Sequence, residues 1–195
     1  MAKDQLSKKV SKVVVIGGSA GALSVVLQVI QRLDVNMNLA GLVVLHRKPS
    51  DENVLADVLS ARTSYEVREI EDKDELSAGV IYVAPADYHV LVESDGSLTL
   101  DDSEKVNFSR PSIDVSFESA ADAYGSSLVG VLLSGANADG VAGLERIKAR
   151  GGKVVIQDPA AAEFSYMPKL ATERMIPDLL LTEKNIDILV DLLSE

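Results

Sequence analysis

The chain has 195 residues, a length typical of one domain, and its 47% hydrophobic and 25% charged residues are normal for a soluble globular protein. Its 30 acidic and 19 basic residues give a net charge of −11, which disfavours binding to nucleic-acid phosphates. The absence of cysteine excludes a disulfide, a thiolate nucleophile and a thiolate metal site.

Neither a membrane span nor a secretory signal is visible in the sequence. No apolar run approaches the ~18 residues that a spanning helix needs. Residues 1–12 are charged and lack the apolar segment of a signal peptide. We therefore expect residues 1–11 to be disordered or frayed, and the protein to be cytoplasmic and not inserted in a membrane.

Strand-like and helix-like segments alternate along the chain, which predicts an α/β fold with a mostly parallel sheet in a single domain, residues 1–195. The core is expected to consist of Val, Leu, Ile and Ala, because aromatic residues make up only 4% of the chain. The predicted elements are, in chain order, strand Lys12–Gly17, helix Ala22–Leu33, strand Ala40–His46, a helix from Pro49 to about Ser60, strands Tyr65–Ile70 and Val80–Ala84, helix Pro111–Tyr124, strand Leu128–Leu133, helix Val141–Arg150, a last parallel strand Lys153–Gln157, and helices Met167–Arg174 and Lys184–Leu193.

One segment interrupts this alternation. His89–Glu93 and Ser97–Leu100 flank the turn residues Ser94-Asp95-Gly96. A short polar turn containing Asp-Gly or Gly between two strand-like runs is typical of a hairpin. The sequence therefore predicts an antiparallel β-hairpin at one side of the main sheet.

A serine lies between glycines directly after the first strand, in Gly17-Gly18-Ser19-Ala20-Gly21. A tight turn from a strand into a helix exposes a hydroxyl at the top of a sheet and surrounds it with free N–H groups. Ser19 is therefore a candidate nucleophile. The alternative is that Ser19 only caps the following helix, since serine is a favoured N-cap residue.

Two further residues at strand ends complete a possible catalytic set. His46 ends the second strand and Asp139 follows Leu133, and functional groups gather at the carboxyl ends of parallel strands. A base such as His46 would activate Ser19, and an acid such as Asp139 would orient the base. The alternatives are a strand-end histidine bonded to the backbone and an aspartate that caps the next helix. The competing base, His89, is expected to have a structural or pocket-rim role.

Other nucleotide and metal chemistries do not fit the spacing. The glycine turn lacks the second glycine of a dinucleotide fingerprint and the Gly-Lys-Ser/Thr end of a phosphate loop. It matches the Gly-x-Ser-x-Gly elbow of α/β-hydrolases, but that fold has strands before the nucleophile and a different triad order. No cluster of His, Asp and Glu has metal spacing, and we expect no metal or cofactor.

The chain resembles the catalytic domain of CheB-type protein-glutamate methylesterases, from about Val13 to Leu192. The resemblance depends on six motifs in the right order, any one of which would be weak alone. They are Ile16-Gly17-Gly18-Ser19-Ala20-Gly21, Leu45-His46 with Pro49, Ile81-Tyr82-Val83-Ala84-Pro85-Ala86-Asp87-Tyr88-His89, Arg110-Pro111-Ser112-Ile113-Asp114, Leu133-Ser134-Gly135-Ala136-Asn137-Ala138-Asp139-Gly140, and Gln157-Asp158-Pro159 with Met167-Pro168.

The resemblance implies a doubly wound sheet with helices on both faces and a triad of Ser19, His46 and Asp139. It also suggests backbone N–H groups near Ala20 and Ala136 as oxyanion donors. The implied reaction is hydrolysis of glutamate γ-methyl esters with release of methanol, and many relatives also deamidate glutamines. The implied partners are cytoplasmic helices of methylated chemoreceptors, or another methylated signalling protein.

The chain departs from the family pattern in ways that affect substrate and control. Ala20, Ala136 and Asn137 replace common family residues around the oxyanion loop, and Arg47 and Lys48 add positive charge after the base. The residues before the first strand are too few for the receiver domain of typical members, so we expect control by other means. Two alternatives remain, a non-catalytic signalling or scaffold module and an esterase for another acyl substrate.

Overall fold

The computed structural model describes residues 10–48 and 54–195. The elements of this part of the chain are β1 Lys12–Gly18, α1 Leu23–Ile30, β2 Leu39–Leu45, α2 Val54–Ser60, β3 Glu66–Glu69, β4 Val80–Val83, β5 His89–Val92, β6 Leu98–Asp101, α3 Ile113–Tyr124, a 3-10 turn Gly125–Ser127, β7 Leu128–Leu132, α4 Val141–Ala149, β8 Lys153–Gln157, α5 Tyr166–Arg174, β9 Leu179–Leu181 and α6 Ile186–Ser194.

Seven of the strands form one parallel sheet in the order β3-β4-β2-β1-β7-β8-β9. The strands β5 and β6 pair antiparallel and apart from that sheet, as the sequence predicted. The chain moves outward from β1 in both directions, so the sheet is doubly wound. This order makes β2, β1 and β7 neighbours, and their carboxyl ends meet at one edge of the sheet.

Helices cover both faces of the sheet, which confirms the predicted layering. Side chains alternate between faces along a strand, and β1 shows this with Val13 and Val15 on one face and Val14 and Ile16 on the other. The first face packs against the hairpin and α3, α4 and α5. The second face packs against α1, α2 and α6. The central strands are buried on both sides, which explains their continuous runs of Val, Leu and Ile.

The predicted boundaries differ from the structure in several places. The expectation that Lys153–Gln157 is the last parallel strand is wrong, because Leu179–Leu181 pairs with it as β9. That strand has three residues and only Leu181 is buried, so it leaves almost no periodic pattern. Helix α1 ends at Ile30, three residues earlier than predicted. The predicted start of α2 at Pro49, and residues 1–9 of the predicted frayed start, lie outside the described residues.

Two glycines allow α3 to approach the ends of the central strands. A Cβ atom on Gly17, in β1, would lie 2.4 Å from Ile113 Cγ2. A Cβ atom on Gly140 would lie 2.8 Å from the same methyl group and 2.6 Å from Leu132 Cδ1, and Gly140 has φ +95°. Contacts this short do not exist between real side chains. The first residue of α3 therefore packs directly on backbone at the edge where functional groups are expected.

Replacing Gly140 with alanine tests this close packing, and Gly79→Ala is the matched control. Gly79 has a similar φ of +84° but nothing within 4 Å of an added Cβ. The control should lose about 1–2 kcal/mol from backbone strain alone. Gly140→Ala should lose about 1–3 kcal/mol more because of steric overlap. Urea unfolding measures both, and equal losses would contradict a packing role for Gly140.

Candidate active site

Backbone hydrogen bonds join the three segments that follow β1, β2 and β7. The N–H of Ser19 donates to the carbonyl of Ser134 at 2.9 Å, and the N–H of His46 donates to the carbonyl of Gly18 at 3.1 Å. These bonds continue the pairing of the sheet beyond the strands themselves. The turn that holds Ser19 is thus fixed between the loop of His46 and the loop that leads to Asp139.

Ser134 is hydrogen-bonded to the turn that contains Ser19. Its hydroxyl donates to the carbonyl of Ala20 at 2.7 Å and accepts from the N–H of Phe164 at 2.9 Å. Its own N–H donates to Oε1 of Gln157 at 2.8 Å. Ser134 is completely buried and Gln157 nearly so. Sequence reasoning assigned neither residue a role, although both stand in the motifs that carry the family resemblance.

His46 and Asp139 form a close pair, with Nε2 of the ring 2.7 Å from Oδ2 of the carboxylate. The side chain of Asp139 is fully buried and that of His46 is 13% exposed. The carboxylate also accepts from the hydroxyl of Ser112 at 2.7 Å and from the backbone N–H groups of Ile113 and Asp114 at 2.6 and 3.1 Å. Asp139 therefore lies against the free N–H groups at the start of α3, where a negative charge is stabilised.

These donors determine the charge of Asp139. Burial by itself raises the pKa of its carboxyl, but the hydrogen bonds from His46, Ile113 and Ser112 lower it, and the pKa lies below the usual value. A carboxylate at Oδ2 requires a proton on Nε2 of His46, which leaves a lone pair on Nδ1. The alternative role of Asp139 as a cap of α4 is wrong, because that helix begins after Gly140 without a side-chain cap.

The other ring nitrogen of His46 faces residues that the sequence did not single out as partners. Ser109 Oγ and Asn137 Nδ2 each lie 3.5 Å from Nδ1, and Asn137 Nδ2 donates to Ser109 Oγ at 3.2 Å. Within residues 10–48 and 54–195, the hydroxyl of Ser19 has no hydrogen bond to His46. The structure thus brings His46 and Asp139 into contact and leaves Ser19 without the hydrogen bond expected of a nucleophile and its base.

Ser19 and His46 nevertheless line the same cavity, of about 350 Å³. We call it the apolar groove, and its hydrophobic walls include Leu23, Val54, Leu55 and Val58 from α1 and α2. The alternative role of Ser19 as a helix cap is wrong, because α1 begins after Ala22 and has no side-chain cap. The Ser19 hydroxyl is therefore not used by the helix that follows it.

The two backbone groups suggested as oxyanion donors are available. Ala20 and Ala136 are both exposed. In the part of the chain that the structure describes, the N–H of neither residue donates a hydrogen bond. Ala136 follows Gly135, where an added Cβ would lie 3.2 Å from Ser19 Cβ, so this loop passes directly beside the serine. Free N–H groups next to a hydroxyl are what a developing oxyanion requires.

His89 has a structural role, as favoured from the sequence. It is 1% exposed, and its Nδ1 accepts from the N–H of Ser112 at 3.1 Å. Its Nε2 lies 3.0 Å from the carbonyl of Glu104 and donates to it. Both ring nitrogens are thus used inside the fold. The contact with Ser112 supports the start of α3, which in turn binds Asp139.

Metal and membrane features are absent from the described residues. Among them, no group of three or more His, Asp and Glu side chains could hold a metal ion. None of the helices in residues 10–48 and 54–195 is long and apolar enough to cross a membrane.

A second buried acid, Asp114, lies beside the site. It accepts from the N–H of Gly143 at 2.7 Å and from Asn107 Nδ2 at 2.8 Å, and Asn107 Nδ2 also lies 3.2 Å from Asp139 Oδ1. Burial raises the pKa of Asp114 to about 6, and the charge of Asp139 adds to the increase. No sequence pattern points to Asn107, because its contacts join a loop to two distant acids.

Replacing Asp114 with asparagine tests this pKa. The pKa of Asp114 in the folded state is about 6, which exceeds the usual 3.8. The contribution of its protonated form to the unfolding free energy is therefore fully present below about pH 4 and is lost as pH rises through 6. The unfolding free energy of the wild type minus that of Asp114→Asn should therefore fall by about 1–3 kcal/mol between about pH 4.5 and 7.5.

Urea unfolding across that range measures the difference, and Asp122→Asn on the same helix is the control. Asp122 pairs with Arg146 and Arg150, and these bonds hold its pKa below the usual value. Its contribution should be constant over the same range, because it changes only at lower pH. A constant difference for Asp114→Asn as well would contradict the raised pKa.

Comparisons with known proteins find relatives that match most of the chain. The family model for CheB methylesterase matches residues 14–188. A relative from Leptospira interrogans is 39% identical over 173 residues, which cover 89% of this chain and 90% of the relative. A protein-glutamate methylesterase/protein-glutamine glutaminase from Sulfurimonas denitrificans is 35% identical over 97% of this chain, which spans 55% of that relative.

The fold is also similar to a solved structure. The crystal structure of the Thermotoga maritima CheB methylesterase catalytic domain superposes with a TM-score of 0.88 and 33% identity, over 93% of this chain and 98% of that one. The parallel sheet and the antiparallel pair described above are thus the fold of that domain. The chain belongs to the CheB methylesterase family.

Proposed function

We propose that this chain is a serine hydrolase that removes γ-methyl groups from glutamate side chains of chemotaxis receptors and releases methanol. We include deamidation of receptor glutamines, because the same acyl chemistry applies to an amide and relatives are named for both activities. The observation that carries the proposal is the 2.7 Å contact between His46 Nε2 and the buried carboxylate of Asp139, next to the turn that holds Ser19. No metal or cofactor is needed for this chemistry.

In the first half-reaction, Ser19 Oγ attacks the ester carbonyl while His46 Nδ1 takes its proton. Asp139 orients the ring and stabilises its positive charge. The oxyanion that forms is bound by the free N–H groups of Ala20 and Ala136. Collapse of the tetrahedral intermediate breaks the bond to the methoxy group, which leaves as methanol with the proton from His46.

In the second half-reaction, water replaces the alcohol. His46 takes a proton from the water, whose oxygen attacks the acyl carbon joined to Ser19. Collapse of this intermediate returns the proton to Ser19 Oγ and releases a glutamate carboxylate. A glutamine substrate follows the same path, with ammonia as the first leaving group.

The resting arrangement of His46 has a consequence for this mechanism. Since Asp139 binds Nε2, the proton must go to Nδ1, which faces Ser109 and Asn137 at 3.5 Å. Hydrogen bonds of this length are weak. Ser19 therefore reaches the base by a side-chain rotation or a small shift of the loops, which substrate in the apolar groove would favour.

The partner and cellular location belong to the same proposal. The substrates would be cytoplasmic helices of methylated chemoreceptors, and the protein would act in the cytoplasm. The alternatives are an esterase for another acyl substrate and a non-catalytic module. The absence of a hydrogen bond between Ser19 and His46 in the described residues is the one observation that favours a non-catalytic module.

Methanol release from methylated receptor membranes tests the proposal, with Ser19→Ala and Ser109→Ala as paired variants. Ser19→Ala should lower the rate at least about a thousandfold, because no nucleophile remains. Ser109→Ala should still form an acyl-enzyme that mass spectrometry finds on Ser19, although its rate will change because Ser109 contacts the base.

The paired variants separate the alternatives. Activity that is lost in Ser109→Ala and kept in Ser19→Ala would make Ser109 the nucleophile. Release of a different alcohol or amine from another acyl donor would identify another esterase. No acyl-enzyme from any ester, in protein with an intact circular dichroism spectrum, would favour a non-catalytic module.

A further inference from the structure

A second cavity, of about 280 Å³, adjoins the apolar groove. The two cavities share His46 and the two residues after it, so they meet at the base. We call the second one the cationic pocket, and its charged lining residues are Arg47, Lys48, Lys105, Arg110 and Asp87. A ligand that lies in the apolar groove with its ester at Ser19 has this pocket beside it.

The charge of the cationic pocket is opposite to that of the whole chain. Four cations and one acid line it, whereas the chain has a net charge of −11. Arg110 donates to the backbone carbonyls of Asp102 and Ser103 at 2.6 and 2.7 Å, and these carbonyls carry no full charge. Its ion pair with Asp87 is long, at 3.9 Å. The positive charge of Arg110 is therefore only loosely compensated.

All four cations have unused hydrogen-bonding capacity. Lys48 and Lys105 are exposed and have no ion-pair partner among residues 10–48 and 54–195. Arg47 pairs with Glu69, but its Nε is buried without a hydrogen-bond partner, as is Nε of Arg110. Unpaired donors of one charge around a cavity next to the base indicate that an anion binds there.

An exposed aromatic ring borders the same pocket. Phe108 is 98% exposed, and both it and Asn107 have positive φ values, +62° and +50°. A bulky residue rarely adopts this backbone conformation. The hydrogen bonds of Asn107 to Asp114 and Asp139 hold the segment in place. The ring thus projects into water beside the cations, where it can cover the apolar stem of an acidic side chain.

We propose that the cationic pocket binds a side-chain carboxylate of the substrate peptide that lies near the methyl ester. This inference rests on the proposed function, since it places the ester at Ser19. A flexible lysine is a point charge and suits a single carboxylate at variable distance. Binding by two parallel hydrogen bonds would instead need an arginine whose guanidinium N–H groups are free. The substrate class is then a peptide with glutamates around the methylated residue and a hydrophobic side that fits the apolar groove.

Two peptides test this specificity. Each carries one glutamate γ-methyl ester, and they differ only in having Glu or Ser three and four residues to either side. For the wild type, kcat/KM should be about three- to thirtyfold higher with the Glu peptide, since each exposed pair contributes modestly. The ratio should approach one as NaCl is raised from about 50 to about 500 mM, because salt screens exposed charges.

Charge reversal at single lysines identifies the site. Lys48→Glu and Lys105→Glu should each lower the ratio between the two peptides at least about threefold. Lys184→Glu, at an exposed lysine before α6, changes the net charge equally and should leave the ratio as in the wild type. A ratio near one in the wild type, or the same decrease in all three variants, would overturn the proposal.

Binding separates this inference from the proposed function. Fluorescence anisotropy with labelled peptides and Ser19→Ala protein measures affinity without hydrolysis. If the Glu peptide binds more tightly and Lys48→Glu and Lys105→Glu abolish the difference, the pocket is supported even when neither peptide is hydrolysed. Failure to hydrolyse either peptide would refute only the methylesterase proposal. Equal affinity for both peptides would refute the pocket, whatever the hydrolysis rates.

Discussion

The site depends on keeping a fully buried carboxylate charged. Asp139 has no contact with water, and an unpaired charge there would be very costly. The first N–H groups of α3 and the hydroxyl of Ser112 provide the compensation. Much of the surrounding structure follows from this need, because α3 must reach the strand ends. Glycines at the contacts with Ile113 permit that approach, and His89 holds Ser112 from the other side.

Two acids in one buried network have different pKa values because their surroundings differ. Asp139 accepts hydrogen bonds from a histidine, a serine and backbone N–H groups, which favour its charged form. Asp114 is buried with fewer donors and faces the charge of Asp139, so its pKa is raised to about 6. Asn107 contacts both acids. The carboxyl of Asp139 is thereby kept charged as the partner of the base, while the carboxyl of Asp114 takes up a proton as pH falls through about 6.

The sequence predicted the central part of the fold well, because β1, β2, β7 and β8 are buried runs of Val, Leu and Ile that leave a strong pattern. It missed β9, which is three residues long with one buried side chain. The strand ends also predicted which loops meet. They could not predict that Ser109 and Asn137 face His46 Nδ1. The loop that holds Ser109 follows the hairpin and has no periodic pattern from which its position could be predicted.

The cationic pocket has a consequence for the order of events on a substrate with several esters. Hydrolysis converts a neutral ester into a carboxylate, which is the group the pocket would bind. The product of one turnover would then become a recognition element for the next ester on the same helix. The rate of such an enzyme depends on how many esters of the helix have already been hydrolysed. A fully esterified helix is hydrolysed slowly, and removal of the first methyl group accelerates removal of the others.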